Sequence, residues 1–202
     1  LSKTLKKVWW KGKKGHEWEA AVASRSVGNG CPYCSGKKVG KDNNLFVKFP
    51  KVAKEWHPTK NKPLTPKDVT PGSGKKVWWQ CKKSHEWGAI IADRVRGNGC
   101  PYCSGLYPSE DNNLFVKFPK VAKEWHPTKN KPLTPKDVTP GSSRKKVWWK
   151  CQKGHEWEGT IAGRSRGDGC PECRGKKVGN DNNLLVKFPK VAKEWHPTKN
   201  KP

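Results

Sequence analysis

The sequence predicts a tandem array of small α+β modules, each a β-hairpin with a short helix, rather than one large domain. Three observations carry this. His16, His85 and His155 stand 69 and then 70 residues apart, as do Cys31, Cys100 and Cys170, and self-similarity at a fixed period marks a repeat architecture. Only 32% of the 202 residues are hydrophobic, against 43 Lys+Arg, 20 Gly and 17 Pro, too little apolar content for one large core. The eight cysteines recur with histidine at set spacings.

The repeat sets the divisions. The run 44–73 returns unchanged at 113–142 and begins again at Asn183 as "NLLVKFPKVAKEWHPTKNKP". The extra residue of the second interval falls in "GSSRKK" (141–146) against "GSGKK" (72–76), a loop able to absorb it. Four segments follow: a partial module at 1–43, full modules at 44–112 and 113–182, and the start of another at 183–202. The sequence holds no Met and opens and closes inside its repeat, so further modules of the same longer chain are expected.

Within a module, "FPKVAKEWHP" (49–58) sets Phe49, Val52, Ala53 and Trp56 at helical spacing on one face. Pro50 suits a first helical turn, and Pro58 turns His57 away from helix. In "LTPKDVTPGS" (64–73), Thr65, Pro66 and Asp68 match an N-cap, a first-turn proline and an acidic third position, which predicts a single capped turn. "VWWQ" (77–80) reads as one strand and "EWGAIIADRV" (86–95) as a second, both rich in aromatic or β-branched residues. Adjacent strand residues point to opposite faces. One of Trp78 and Trp79 is therefore expected behind the zinc site and the other against the neighbouring helix, the next module or a base, while Trp18, Trp87 and Trp157 are expected as core.

The cysteines carry the chemistry. Cys81 and His85 form C-x3-H, and Cys100 and Cys103 form C-x2-C inside "GCPYCSG"; Cys151, His155, Cys170 and Cys173 repeat the set. Zinc takes four sulfur or imidazole ligands in a tetrahedron, and two turn-borne pairs joined by a hairpin supply them. Gly99 and Gly105 are expected to let the knuckle bend tightly. The zinc is expected to be structural, because metal binding adds folding free energy to a module with a thin core. The first copy keeps His16, Cys31 and Cys34 but has Gly12 where the others have cysteine, so its site is expected to be weak or empty. Its His-Cys-Cys set beside Glu17 invites comparison with zinc deaminases. Those need H-x-E and P-C-x-x-C, whereas Glu17 directly follows His16 and the proline lies inside the cysteine pair. No catalysis is expected. His57, with His126 and His196 as equivalents, is expected to be a helix-end histidine packed beside Trp56.

"AKEWHPTKN", "LTPKDVTPGS", "KKVWWQCKKSHEW" and "GCPYCSG", in this order, resemble a treble-clef zinc-finger family first described as a zinc-ribbon domain of unknown function. The resemblance spans essentially the whole chain. It implies a treble-clef or zinc-ribbon-like fold, Cys81, His85, Cys100, Cys103, Cys151, His155, Cys170 and Cys173 as ligands, and tandem modules, sometimes beside nuclease-like domains. It also implies nucleic acid as partner, with duplex DNA ahead of RNA. Gly12 departs from the family pattern.

A net charge of +26 points to the same partner class, since neutralising phosphates releases counterions. Arg25, Arg94 and Arg164 recur late in the second predicted strand, followed by Arg96 and Arg166, with Val27 at that place in the first copy. A guanidinium can grip phosphate or guanine bidentately; an ion pair with Asp42, Asp111 or Asp181 is the competing reading. Lys75, Lys76, Lys145 and Lys146 could flank the same groove. Copies differ mainly in the hairpin and after the knuckle, as with "KKVGK" (37–41) against "LYPSE" (106–110), a pattern that suits variable readout and surface drift alike. A structural scaffold, such as a basic component of an RNA-protein particle, is the rival class. No apolar run approaches the ~20 residues of a membrane span, and no secretory segment opens the chain. The expected setting is a reducing compartment, cytoplasm or nucleus.

Overall fold

The computed structural model describes residues 4–200. Residues 1–3 and 201–202, the extremes of the first and last predicted segments, lie outside the described residues. The chain divides into two compact units, Leu1–Cys100 and Pro101–Pro202.

In the first unit, β1 (Lys7–Lys11) pairs antiparallel with β2 (Glu17–Ala21), and α1 (Val22–Ser26) follows directly. After the first knuckle come α2 (Leu45–Lys48), α3 (Pro50–Ala53) and a 3-10 turn at Pro66–Asp68. A second hairpin, β3 (Lys76–Gln80) and β4 (Glu86–Ile90), then leads into α4 (Ile91–Val95). The second unit repeats the order with α5 (Leu114–Lys117), α6 (Pro119–Ala122), a 3-10 turn at Pro135–Asp137, β5 (Lys146–Lys150), β6 (Glu156–Thr160) and α7 (Ile161–Ser165). It ends with α8 (Leu184–Lys187) and α9 (Pro189–Ala192).

The capped turn forms as its residues foretell. Thr65 accepts from the Lys67 amide, and Asp68 accepts from the Thr65 hydroxyl at 2.5 Å and from the Thr65 amide at 2.9 Å, bonds that hold the Asp68 carboxyl below its ordinary value. The predicted 49–58 helix is shorter than its spacing suggests. Pro50 excludes the helical region for Phe49, whose φ/ψ of −135/65 separates α2 from α3. Beyond Ala53 the chain continues as turns to Trp56. Sequence reading also missed α2. Asn44 caps it by accepting from the Val47 amide at 3.1 Å, and Leu45 is fully buried beneath it.

The second predicted strand is corrected more substantially. It ends at Ile90, and 91–95 is helix. The β-branched pair Ile90-Ile91 favours strand, but Ile91 and Arg94 are both buried, and i,i+3 spacing places them on one helical face. In the third copy Thr160 caps this turn, accepting from the Gly163 amide at 3.1 Å.

Alternation along β3 buries Val77 and Trp79 and turns Trp78 outward, 43% exposed. The indole of Trp79 donates to the Ala89 carbonyl at 3.0 Å and meets Trp56 edge-to-face at 5.5 Å. Burying a ring of that size contributes on the order of 4–6 kcal/mol at ~25 cal/mol/Å². Trp18, Trp87 and Trp157 are buried as expected. The open edge of β3 is sealed by the segment before it. The His57 amide donates to the Trp78 carbonyl and the Gln80 amide to the Glu55 carbonyl, while the Asn61 side chain donates to and accepts from the Trp78 backbone. Thus the helical segments at 44–61 and 113–130 each pack on the hairpin that comes next. Residues 183–200 repeat that segment. There Trp195 is 59% and Leu184 38% exposed, whereas Leu45 and Leu114 are fully buried.

Candidate metal centre

The hairpin turn and the knuckle converge at one end of each module. In the third copy the Cys151 amide donates to the His155 carbonyl, closing the C-x3-H turn. Gly154 sits there at φ +85, with Gly15 at +77 in the first copy and Ser84 at +62 in the second. In the knuckle the left-handed residues are Gly97 and Gly105, at +104 and +76; Gly99, expected to share this role, is not one of them.

His155 Nδ1 lies 3.4, 3.5 and 3.3 Å from the sulfurs of Cys151, Cys170 and Cys173, and Cys151 and Cys173 stand 3.9 Å apart. Zinc bonds of ~2.3 Å to sulfur and ~2.0 Å to nitrogen give tetrahedral edges of about 3.5–3.8 Å, so the four atoms fit the ion. The same sulfur separation is far beyond the ~2.05 Å of a disulfide, and no disulfide joins any of the eight cysteines. Chemistry agrees with geometry. Burial and the adjacent Cys170 and Cys151 sulfurs push the Cys173 thiol up to about 11, and a bound cation would favour its thiolate. In the second copy the ligand atoms of Cys81, His85, Cys100 and Cys103 likewise all lie within 4.8 Å of one another.

The first copy brings three donors together. His16 Nδ1 lies 3.5 Å from the Cys31 sulfur and 3.4 Å from that of Cys34. Gly12 offers nothing, and a Cβ placed there would stand 3.2 Å from the Trp18 ring.

The arginines are not where the sequence reading puts them. Arg94 and Arg164 lie on α4 and α7, not on strands, and both are buried. Each guanidinium is stacked among indoles, 5.4 and 5.5 Å from Trp79 and Trp87 in one case and 5.5 and 5.6 Å from Trp149 and Trp157 in the other. Arg94 bonds Glu55 and the Asn98 carbonyl; Arg164 bonds Glu124 and the Asp168 carbonyl. The acidic partner is the glutamate of "KEWHP", not Asp42, Asp111 or Asp181. A buried cation takes a nearby carboxylate to offset its desolvation, and helical spacing from Ile91 was the signal that could have placed it inside. Arg25 is half-buried over Trp10 and Trp18 and bonds the Asn29 carbonyl. Arg96, Arg166, Lys75, Lys76, Lys145 and Lys146 are exposed, with Arg96 2.7 Å from Asp93.

His57 and His126 are buried beside the helix ends and serve no metal cluster. Nδ1 of His57 accepts from the Thr59 and Lys60 amides, and Nε2 lies 2.9 Å from Glu86.

Metal-stapled β-hairpins with buried helical braces, repeated along one chain, define a tandem zinc-finger array. The family model described as a probable treble clef zinc finger domain matches residues 2–37, 52–106 and 121–176, more than half of the chain. The chain belongs to that family. The second and third matches each begin in the helical segment that packs on the following hairpin. Among curated proteins, none matches.

Proposed function

We propose that this array binds nucleic acid without catalysis, duplex DNA ahead of RNA, through a basic surface that follows the phosphate backbone. The observation that carries this reading is the charge. Glu55 and Glu124 neutralise Arg94 and Arg164 in the interior, so the net +26 falls on the surface. Lys75-Lys76 and Lys145-Lys146 enter β3 and β5, and Arg96 and Arg166 close α4 and α7, which gives the second and third modules a similar set of exposed cations. Repetition raises affinity by effective concentration. The four-ligand sets leave zinc no open position for a substrate, and their role in this reading is to hold the hairpin. The buried arginines brace it from inside.

Trp78 and Trp148 are weaker as base platforms than the bare sequence suggests. Lys60 and Lys129 cover their rings at 4.4 and 4.0 Å.

The test is binding of duplex DNA, single strands and structured RNA across a salt series with zinc present. For duplex DNA, log affinity is expected to fall linearly with log salt, by ~0.9 per phosphate contact. Replacing Lys75, Lys76, Lys145 and Lys146 by Gln should flatten that slope. No binding at low salt would contradict the proposal, and a preference for structured RNA would transfer it to an RNA-protein particle.

A further inference from the structure

The metal ligands account for one edge of each histidine; the other edge is also engaged. His16 Nε2 lies 2.9 Å from Asp42 Oδ1, and His155 Nε2 lies 3.0 Å from Asp181 Oδ1. Both aspartates open the same triplet, Asp-Asn-Asn, after the knuckle. A neutral imidazole carries one N–H. If that hydrogen sits on Nε2 and is donated to the carboxylate, the Nδ1 lone pair faces the cysteines, which is the orientation both sites show.

The rest of the triplet points to a wider role. Asn43 donates to the Tyr33 and Lys38 carbonyls at 2.5 and 2.8 Å and accepts from the Gly40 amide at 2.6 Å, spanning the loop after the knuckle. Asn182 does the same with Glu172, Lys177 and Gly179, at 2.6, 2.8 and 2.6 Å. Asn112 bonds Tyr102, Tyr107 and Ser109 in the same pattern. The third residue, Asn44, Asn113 or Asn183, caps the next helix by accepting from the amide three residues on.

We propose that Asp42 and Asp181 are positioning residues for the metal, and that their Asp-Asn-Asn triplets couple the first and third metal sites to the first helix of the following repeat. The aspartate sets the tautomer and ring orientation of the ligand histidine, as carboxylates behind zinc-bound imidazoles do. Because three consecutive residues hold the histidine, the knuckle loop and the helix start, ordering one constrains the others. Two other charged groups face the third site: Glu172 lies 3.6 Å from His155 Nε2, and Lys153 lies 3.7 Å from Asp181. The first copy has Tyr33 in place of Glu172, packed 5.1 Å from the His16 ring, and keeps the aspartate contact without it.

The experiment uses the full chain with zinc. In the wild type, ¹⁵N shifts of His155 should show metal on Nδ1 and a proton on Nε2. In Asp181→Asn, competition against a chromophoric chelator should show one zinc held about 10–100-fold more weakly, with the amide signals of 184–187 shifted. Glu172→Gln should stay within about two-fold of the wild type by the same criterion. Metal on Nε2 in the wild type would overturn the proposal without recourse to any variant. So would unchanged zinc affinity in Asp181→Asn, or its failure to fold at saturating zinc, since a positioning residue weakens loading rather than the loaded fold.

Discussion

Ser84 occupies a backbone conformation that glycine takes in the other two copies, with φ at +62 against +77 for Gly15 and +85 for Gly154. A left-handed residue with a Cβ costs roughly 1–2 kcal/mol, partly offset because glycine loses more chain entropy on folding. Ser84→Gly should therefore stabilise the second module by about 0.5–1 kcal/mol, read as a higher urea midpoint at saturating zinc; a lower midpoint would contradict the backbone assignment. At this scale much of the site was legible. Every donor of the second and third sets follows from C-x3-H and C-x2-C spacing, because turn geometry is local. Arg94 and Arg164 were not, since nothing in the order of residues announces that Glu55 and Glu124, some forty positions upstream, lie against them.

At the scale of elements, the hairpin and the segment before it depend on one another. Glu156, at the start of β6, meets His126, Lys129 and Lys150 at 3.1, 2.7 and 3.3 Å. Hydrogen bonds from Lys129, then His126 and Lys150, lower its carboxyl from 4.5 to about 2. A carboxylate lowered on folding stabilises the fold above its unfolded pKa and loses that contribution as pH falls toward the folded one. The stability difference between wild type and Glu156→Gln, measured in urea at saturating zinc, should thus be complete above pH ~4.5 and begin to shrink as pH falls below it toward the folded value of about 2, read down to the pH at which zinc dissociates. A difference constant across that window would show that the three cations do not act through the ionised carboxylate. Element type was legible where a short local signal sufficed, as in the Thr65–Asp68 capping box and the alternating β3. It failed at 91–95, where β-branched residues serve a buried helical turn. It failed again at Phe49, where Pro50 breaks an apolar pattern that reads as one helix.

For the whole molecule, the period of about 70 residues organises the sequence, and residues 44–61 brace the hairpin at 76–90. No helix among the described residues is long and apolar enough to cross a membrane. What the sequence could not convey is how much of the basic charge is internal. Two arginines that read as contacts are core braces, which leaves lysines and Arg96 and Arg166 to carry the proposed function. In the proposed reading, zinc is what makes so thin a core sufficient. Native mass spectrometry of the purified chain therefore bears on the central claim most directly. Two zinc ions per chain are expected, with a third retained when Gly12→Cys completes the first ligand set. A wild-type chain that stays folded with no zinc bound would contradict it.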